Sequence, residues 1–351
     1  SGTSISFGTA VVFESAISTF FSTTYDTDNN KVVIVYSNNT TDDGTAIVGT
    51  VSGTSISFGS PVNFESARIS YTSTVYDFTN NKVVIAYQDA GNSDYGTSII
   101  GTVSGTSISF GTAVVFESAS CLDISAAYDS VSNRIVINYA DFGNSSYGTS
   151  IVGTVSGTSI SFGAAVIFES AEVTYISSVF ASDNNRIIIV YGDSGNSGHG
   201  TFIVGAVSGT TISFSSALVF ESANSDYNSA IYDSFSNQVV IAYSDVNNLS
   251  YGTAIVAAPG TQIAPTISSQ NNFIGIAQDT VASGTTVPVR LPGSYDQNNQ
   301  GLVVGSPYYV DPTTSGFTTT VTQPSAWSGA VNWAPVGVAV NSTTLLLTDM
   351  I

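Results

Sequence analysis

A repeat of about 52 residues constrains the fold of this chain more than any other feature of its sequence. A Phe-Glu dipeptide recurs with spacings of 51, 52, 52 and 52 residues, and a tyrosine and an asparagine recur in step with it. The recurring residues are Phe13-Glu14, Phe64-Glu65, Phe116-Glu117, Phe168-Glu169 and Phe220-Glu221; Tyr36, Tyr87, Tyr139, Tyr191 and Tyr243; and Asn30, Asn81, Asn133, Asn185 and Asn237. Five copies therefore fill residues 1–259, near 1–51, 52–103, 104–155, 156–207 and 208–259.

Each copy contains four runs that are typical of β-strands, and we name them a, b, c and d. In the second copy they are SYTSTVYD (70–77), KVVIAYQD (82–89), TSIIGTV (97–103) and TSISFGTAVVF (106–116). Strand b is apolar on successive residues, which indicates burial on both faces. Strand a carries pairs of small residues, which suit a crowded central position. These pairs are Ser73-Thr74, Ser125-Ala126, Ser177-Ser178 and Ser229-Ala230.

A four-stranded sheet of about 50 residues is too small to cover both of its own faces. Radial stacking of such sheets solves this problem and gives a β-propeller. A β-helix would need much shorter coils, and tandem immunoglobulin-like domains would need about 100 residues each. The sequence therefore predicts an all-β chain in which residues 1–259 form a five-bladed β-propeller.

The two ends of the repeat region complement each other. Residues 1–14, SGTSISFGTAVVFE, are identical to residues 104–117 and form a strand d with no strands a, b and c before it. The last copy supplies strands a (227–233), b (238–244) and c (253–257), then breaks at Ala258-Pro259-Gly260 without a strand d. We expect the N-terminal strand to complete the last blade and close the ring. The alternative is that Ser1 is a truncation point and that further blades precede it.

Residues 260–351 read as a separate small all-β domain for attachment or oligomerisation. Proline, glycine and asparagine punctuate short apolar runs in this part of the chain. The runs are Phe273–Ala277, Thr286–Leu291, Leu302–Val304, Tyr308–Val310, Gly337–Val340 and Thr344–Leu347. Trp327 and Trp333 are expected to anchor a core or an interface, and stacking on a ligand is the alternative.

Charge and composition exclude several classes of partner. The chain has 25 Asp and Glu against 6 Lys and Arg, a net charge of −19, which repels phosphate backbones and anionic lipid headgroups. No run of about 18 apolar residues occurs, so neither nucleic-acid binding nor membrane insertion is expected. Cys121 is the one cysteine, which excludes an intrachain disulfide, and we expect it to be a small core residue.

Catalytic constellations are scarce, and the sequence predicts a protein that is not an enzyme, with no catalytic residue and no metal site. The single histidine, His199, stands where other copies have tyrosine, and nothing suggests an orienting partner for it. Carboxylates recur in every copy, which favours a structural duty such as accepting backbone N–H groups in turns over catalysis. The segment DAGNSDYG (89–96) partly resembles an oxygen-rich calcium loop without its spacing or terminal Glu. A weak Ca²⁺ site is thus the one cofactor left open.

Four residues between the FESA block and strand a differ in every copy, whereas most of the repeat is nearly constant. In a propeller the d–a and b–c loops emerge on one face, where rigid scaffolds commonly carry recognition residues. Aromatic rings with Asn, Ser and Asp suit sugars, and neutral drift in solvent loops is the alternative. The candidate ligand-binding residues are Phe20, Tyr71, Asp123, Tyr175 and Tyr227 from the variable segments, and Tyr95, Tyr147, His199 and Tyr251 from the b–c loops.

The FESA…YGTAIVGTVSGTSISFG repeats, with NFIGIAQDTV, GLVVGSPYYV and VGVAVNSTTLLL near the C-terminus, resemble structural proteins of marine bacteriophages. The similarity is to tail-fibre-like proteins, notably of phages that infect cyanobacteria. It implies a homo-oligomeric virion protein, outside the cell, that binds other virion proteins and a host-surface glycan or protein. The alternative is a purely structural capsid or tail decoration protein. A polysaccharide depolymerase is disfavoured because no acid pair is specific to one copy.

Overall fold

The computed structural model describes residues 5–258 and seven strand segments between residues 276 and 347. The described residues form antiparallel β-structure, as the sequence predicts for an all-β chain. The chain divides into two compact units, Ser1–Ile263 and Ala264–Ile351. No helix among these residues has the length and hydropathy needed to span a membrane.

The strands of the repeat region follow the predicted order a, b, c, d in the first four copies and a, b, c in the last. They are β1 (Ser18–Asp26), β2 (Lys31–Asn38), β3 (Asp43–Ser52), β4 (Ser55–Phe58), β5 (Val62–Glu65), β6 (Ile69–Asp77), β7 (Lys82–Asp89), β8 (Tyr95–Ser104), β9 (Ser107–Phe110), β10 (Val114–Asp129), β11 (Arg134–Asp141), β12 (Tyr147–Ser156), β13 (Ser159–Phe162), β14 (Val166–Ala181), β15 (Arg186–Asp193), β16 (His199–Ser208), β17 (Thr211–Phe214), β18 (Leu218–Asp233), β19 (Gln238–Asp245) and β20 (Tyr251–Ala257). One-turn 3-10 helices lie in the b–c connections at Ala90–Asn92, Phe142–Asn144, Ser194–Asn196 and Val246–Asn248.

The predicted strand d is divided into two short strands that pair with the same strand c. In the second copy, β9 pairs with the end of β8, and the first residues of β10 pair with its beginning. Gly111 lies at the break, and its N–H donates to the carbonyl of Ile100 at 2.9 Å. A Cβ at Gly111 would collide with the Thr158 carbonyl oxygen of the next copy, so only glycine allows this close approach.

The predicted d–a loops are not loops in the last three copies, which corrects the expectation from the sequence. Strands β10, β14 and β18 each run for 16 residues without a break. The first half of each pairs with strand c of the preceding copy, and the second half is strand a of its own copy. Successive copies are thereby joined into one hydrogen-bonded path from β20 to β6, beside a separate sheet of β1 to β5. No sheet among the described residues closes on itself.

The hydrophobic core lies between successive copies, and strand b contributes to it from both faces. Val84 and Ile85 are adjacent in β7 and both are fully buried. Val84 packs in a cluster with Ile135 and Ile137 of the third copy, whereas Ile85 packs with Val33 of the first. The prediction that strand b is buried on both faces is thus confirmed.

Adjacent a strands are linked through the small residues that the sequence singles out. The hydroxyl of Ser125 accepts the backbone N–H of Ser178 at 2.9 Å. Ser73 and Ser177 accept the N–H groups of Ala126 and Ala230 in the same way, at 2.9 and 3.0 Å. A larger side chain at these serines would separate the strands and leave the N–H groups without an acceptor.

The two ends of the repeat region are not joined in the structure. Residues 5–14 form no strand, and no pairing is formed on the outer edge of β20 by the described residues. Even so, Phe13 packs against Tyr36 with ring centroids 5.4 Å apart, as Phe64 packs against Tyr87 at 5.4 Å. Residues 13–14 therefore rest against the first copy as a strand d rests against the copy that follows it.

The C-terminal unit is described through its strand segments alone. They are β21 (Ile276–Ala277), β22 (Val289–Arg290), β23 (Tyr295–Asp296), β24 (Pro307–Asp311), β25 (Gly316–Thr318), β26 (Gly337–Asn341) and β27 (Thr344–Leu347). β21 pairs with β22, and the others form a sheet in the order β23-β27-β26-β24-β25. Leu302–Val304, Trp327 and Trp333, which the sequence analysis singles out, lie outside the described residues.

Candidate ligand-binding face

A β-bulge near the start of each strand a positions the first set of predicted site residues. The pairing of β6 with β7 shifts between Ser70 and Ser73, and the same shift recurs in the other copies. The bulge places one residue per copy in the left-handed backbone region, with φ between 48° and 53°. These residues are Phe20, Tyr71, Asp123, Tyr175 and Tyr227. We call them the bulge row.

The bulge row carries side chains that this backbone conformation disfavours. A left-handed conformation costs a residue with a large side chain about 1–2 kcal/mol, and glycine nothing. Outside the bulge row, most left-handed positions carry Asn, Asp, Ser or Gly, such as Asn81 in the a–b turn and Gly105 in the c–d turn, and Leu249 is the exception. Four aromatic residues and an aspartate at the bulge are therefore a departure that the fold itself does not require.

The members of the bulge row contact one another from copy to copy. The rings of Phe20 and Tyr71 have centroids 5.7 Å apart, and those of Tyr175 and Tyr227 are 4.7 Å apart. Asp123 lies between the two pairs and accepts the backbone N–H of Tyr175 at 2.9 Å. Burial raises the pKa of the Asp123 carboxyl and that N–H opposes the rise, while burial and the Asp123 charge raise the pKa of Tyr71. The structure thus brings these five predicted residues together.

A pocket of about 440 Å³ adjoins one end of the bulge row. Its walls come from the variable segments of the first three copies, from the b–c connections of the second and third, and from strand β7. The lining residues are Phe20, Arg68, Ser70, Tyr71, Gln88, Asp94, Ser120, Leu122 and Phe142. In these copies, the variable segments and the b–c connections therefore share a face, as the sequence predicts.

The predicted residues of the b–c connections stand beside the variable segments without joining the bulge row. Tyr95, Tyr147 and His199 begin strands β8, β12 and β16 and pair with the first residues of the adjacent variable segments. They are half-buried, and Tyr251 is exposed. None of the four lines the described pocket, and no hydrogen bond or ring contact among the described residues connects them to the bulge row.

Part of the variation between copies lies in the core, which sequence reasoning missed. The second residue of the variable segment is buried in four copies, as Ile69, Cys121, Val173 and Ser225. Cys121 is thus the buried core residue expected, and burial raises the pKa of its thiol. Sequence reasoning also missed Gln88, Asp94 and Phe142, although Gln88 and Phe142 have no counterpart in the other copies.

The repeated carboxylates have the structural contacts expected of them. Asp77 accepts the backbone N–H groups of Thr79 and Asn80 at 3.1 and 3.0 Å. Glu117 accepts the Tyr139 hydroxyl at 3.0 Å, and the other four copies repeat this pair. Asp89, which begins the segment that resembles a calcium loop, accepts the N–H of Gly91 at 2.8 Å. Within the described residues, no three His, Cys, Asp or Glu side chains form a group that could hold a metal ion.

Neither a protein family nor a curated protein matches the sequence. A protein of unknown function from Dyadobacter fermentans is 13% identical with a TM-score of 0.48, over 68% of this chain and 74% of that one. A protein from Lactobacillus plantarum is 10% identical with a TM-score of 0.47, over 85% and 82% of the two chains. A Trypanosoma rangeli sialidase mutant that displays trans-sialidase activity is 13% identical with a TM-score of 0.43, over 69% and 45%. Likeness at this level carries no argument about function.

Proposed function

We propose that this protein is a non-enzymatic recognition module of a phage virion, of the tail-fibre type, and that the bulge row contacts a host-surface glycan or protein. The observation that carries the proposal is the strained backbone of the row. Sterically unfavourable conformations persist where function needs the side chain they present. Here Phe20, Tyr71, Tyr175 and Tyr227 keep aromatic rings at positions where glycine would relieve the strain.

The chemistry of the row supports contact with sugars or with a protein surface. Aromatic ring faces pack on the C–H faces of sugars, and a carboxylate such as that of Asp123 accepts hydrogen bonds from hydroxyl groups. Each contact would be weak. Several contacts in a row, and several copies of the protein on a particle, would raise the overall affinity by avidity.

Replacement of a row tyrosine by glycine tests the proposal, because it separates binding from stability. Tyr175→Gly removes a ring and relieves the left-handed strain, so binding should fall at least fivefold while the melting temperature stays within about 2 °C of wild type. The binding measurements are adsorption of the full chain to cyanobacterial cells and to an array of bacterial surface glycans. Asn81→Gly is the matched control, since it changes a left-handed residue that is exposed and lies at the opposite end of a strand a, whereas Tyr175 is half-buried.

The result separates recognition from a purely structural role. Adsorption that Tyr175→Gly weakens and Asn81→Gly leaves unchanged supports recognition by the row. Wild-type protein that binds neither cells nor glycans, yet associates with purified virions, would favour the decoration protein instead. Release of reducing ends from host polysaccharide would contradict the non-enzymatic assignment.

We also propose that the five copies close into a five-bladed propeller, with residues 11–14 paired to β20. Residues 104–117 have the same sequence as residues 1–14, and there Val114 pairs with Ser98 and Glu117 with Gly96. The same register would set Val11 opposite Ala254 and Glu14 opposite Gly252. Among the described residues, neither the outer edge of β20 nor residues 11–14 take part in strand pairing. Pairing between them would therefore satisfy backbone N–H and C=O groups at both ends of the repeat region.

A cysteine pair tests closure directly. In Val11→Cys/Ala254→Cys, mild oxidation should give an intramolecular disulfide, seen as a faster-migrating monomer on a non-reducing gel. Each single variant is a control, and the buried Cys121 should not interfere. A ladder of disulfide-linked oligomers would show that the N-terminal segment completes a neighbouring molecule. Absence of any cross-link would contradict the proposed register.

A further inference from the structure

Three residues that line the pocket beside Phe20 and Tyr71 have no counterpart in the other copies. Arg68 is replaced by isoleucine, serine, glutamate or asparagine at the equivalent positions of the other copies. Gln88 is replaced by serine, alanine or glycine, and Phe142 stands where the second, fourth and fifth copies have alanine, serine and valine. Those copies form the same strands without these side chains, so the fold does not account for the pocket.

Arg68 differs from the other cations of the described part of the repeat region. Lys31, Lys82, Arg134 and Arg186 all begin a strand b, and the guanidinium groups of Arg134 and Arg186 donate to backbone carbonyls at 2.8 Å. Arg68 instead lies in a variable segment at the opposite end of the blade, where its side chain lines the pocket. Among the described residues, no hydrogen bond or ion pair occupies its guanidinium, so the group is available to a ligand.

The remaining lining residues narrow the chemistry of that ligand. Phe20, Tyr71 and Phe142 offer aromatic faces, and Gln88 and Asp94 offer polar groups for hydroxyls. A guanidinium binds a carboxylate with two parallel hydrogen bonds. The carboxylate of Asp94 and the net charge of −19 disfavour densely charged ligands such as phosphates. The volume lies within the range of about 300–1,000 Å³ that small-ligand pockets have.

We infer that this pocket binds an acidic sugar of the uronic-acid type, with its carboxylate on Arg68 and its ring against the aromatic side chains. The inference rests on the proposed recognition function and names the ligand class for one part of the same face. It requires neither ring closure nor the C-terminal unit, because all lining residues belong to the first three copies.

Calorimetric titration of the full chain with defined trisaccharides tests the inference. The probes are tri-galacturonic acid, tri-mannuronic acid and the carboxyl-reduced form of each. At least one acid should bind, and its reduced form should bind about tenfold more weakly or worse, because a charge-assisted hydrogen bond is lost. Arg68→Gln should cause the same loss, and Lys82→Gln, which removes an equal charge at the far end of the strands, should cause none.

The outcomes distinguish this inference from the proposed function. Equal binding of an acid and its reduced form, or unchanged binding by Arg68→Gln, overturns the carboxylate assignment and leaves recognition by the bulge row intact. Failure of both acids to bind also overturns it, while cell adsorption that depends on Tyr175 would still support the proposed function. Loss of binding in Lys82→Gln as well would point to a general effect of charge and would overturn the role of Arg68.

Discussion

The interior copies and the end copies have nearly the same sequence and very different surroundings. Val256 of the last copy is 61% exposed, whereas Ile100 and Val152 at the equivalent positions are fully buried. At the other end Ile5 is 79% exposed, and its equivalent Ile108 is 3% exposed. Strands a, b and c therefore form in every copy but depend on neighbouring copies for burial, and residues 5–14, which have the sequence of residues 108–117, form no strand without a strand c to pair with. The ends lack such neighbours, and the proposed closure would supply each end with the other.

The Glu-Tyr pairs show the same difference in their electrostatics. Burial raises the pKa of Glu65, Glu117 and Glu169 in the interior. The pKa of Glu14 is lowered instead, chiefly by the N–H of Ala16, because little protein covers that carboxylate. The hydrogen bond from tyrosine is present in both settings. Burial of the glutamate by a neighbouring strand thus changes its pKa shift from downward to upward.

The largest effect is expected from the phenylalanines that pack on these tyrosines. Phe168 is buried against Tyr191 and Phe214, so Phe168→Ala should lower the free energy of unfolding by about 3–5 kcal/mol, measured by urea denaturation. Phe13 contacts Tyr36 and Phe58 in the same way. If residues 11–14 close the ring, Phe13→Ala should lower the free energy of unfolding by nearly as much as Phe168→Ala. A loss at Phe13 below half of that at Phe168 would indicate an open end.

Glycine substitutions give the sharpest contrast between an interior copy and an end. A Cβ at Gly148 would lie 2.5 Å from the Phe168 ring, so Gly148→Ala should cost about 1–3 kcal/mol by overpacking. The equivalent Gly252 has no atom near its Cβ position in the structure. Closure would bring the Phe13 ring there, and we expect Gly252→Ala to be destabilising as well. The melting temperatures of the two variants test this expectation. A Gly252→Ala variant with the melting temperature of the wild type would contradict closure.

Strand content and burial were predictable because they follow from patterns within one copy. The continuous apolar run of strand b identified a strand buried on both faces, and the paired small residues of strand a identified the crowded strands. The bulge was not predictable in this way. Its effect is to put Tyr71 and its equivalents in the left-handed region, where an aromatic side chain gives no sequence signal comparable to Gly or Asn.

The pocket also needed three-dimensional information, since its residues come from three copies. Arg68 and Phe142 are 74 positions apart in sequence and line the same cavity. A sequence signal did exist, because both residues occupy positions that differ from copy to copy. The division of strand d had a similar signal in Gly111, whose equivalents are Gly8, Gly59 and Gly163, with Ser215 at the fifth position. The collision that requires glycine involves the next copy and is visible only in the structure.

The serines between a strands are expected to give a smaller effect. Ser177→Ala removes the acceptor for the Ala230 N–H and should cost about 1 kcal/mol. Ser229 is the equivalent residue of the last copy, and it is exposed in the structure. In a closed ring it would accept an N–H from the first copy, so Ser229→Ala should show a similar loss in urea denaturation. If Ser229→Ala is as stable as the wild type, the two ends of the repeat region are not joined in solution.

The smallest effect is expected from pH. A carboxyl whose pKa is raised in the folded state binds more protons there than in the unfolded chain. The stability of the protein is therefore reduced at a pH above the raised pKa, and it rises as the pH falls toward the ordinary pKa of 4.5. Glu117→Gln should therefore weaken the gain in melting temperature between pH 7 and pH 5 and should not lower stability at pH 7. Glu14 has the opposite shift in the open structure, where Glu14→Gln would lower stability at pH 7. Closure would cover Glu14 as Glu117 is covered. The two substitutions should then change the pH dependence of the melting temperature in the same direction. Opposite directions would mean that the first copy keeps an uncovered edge in solution.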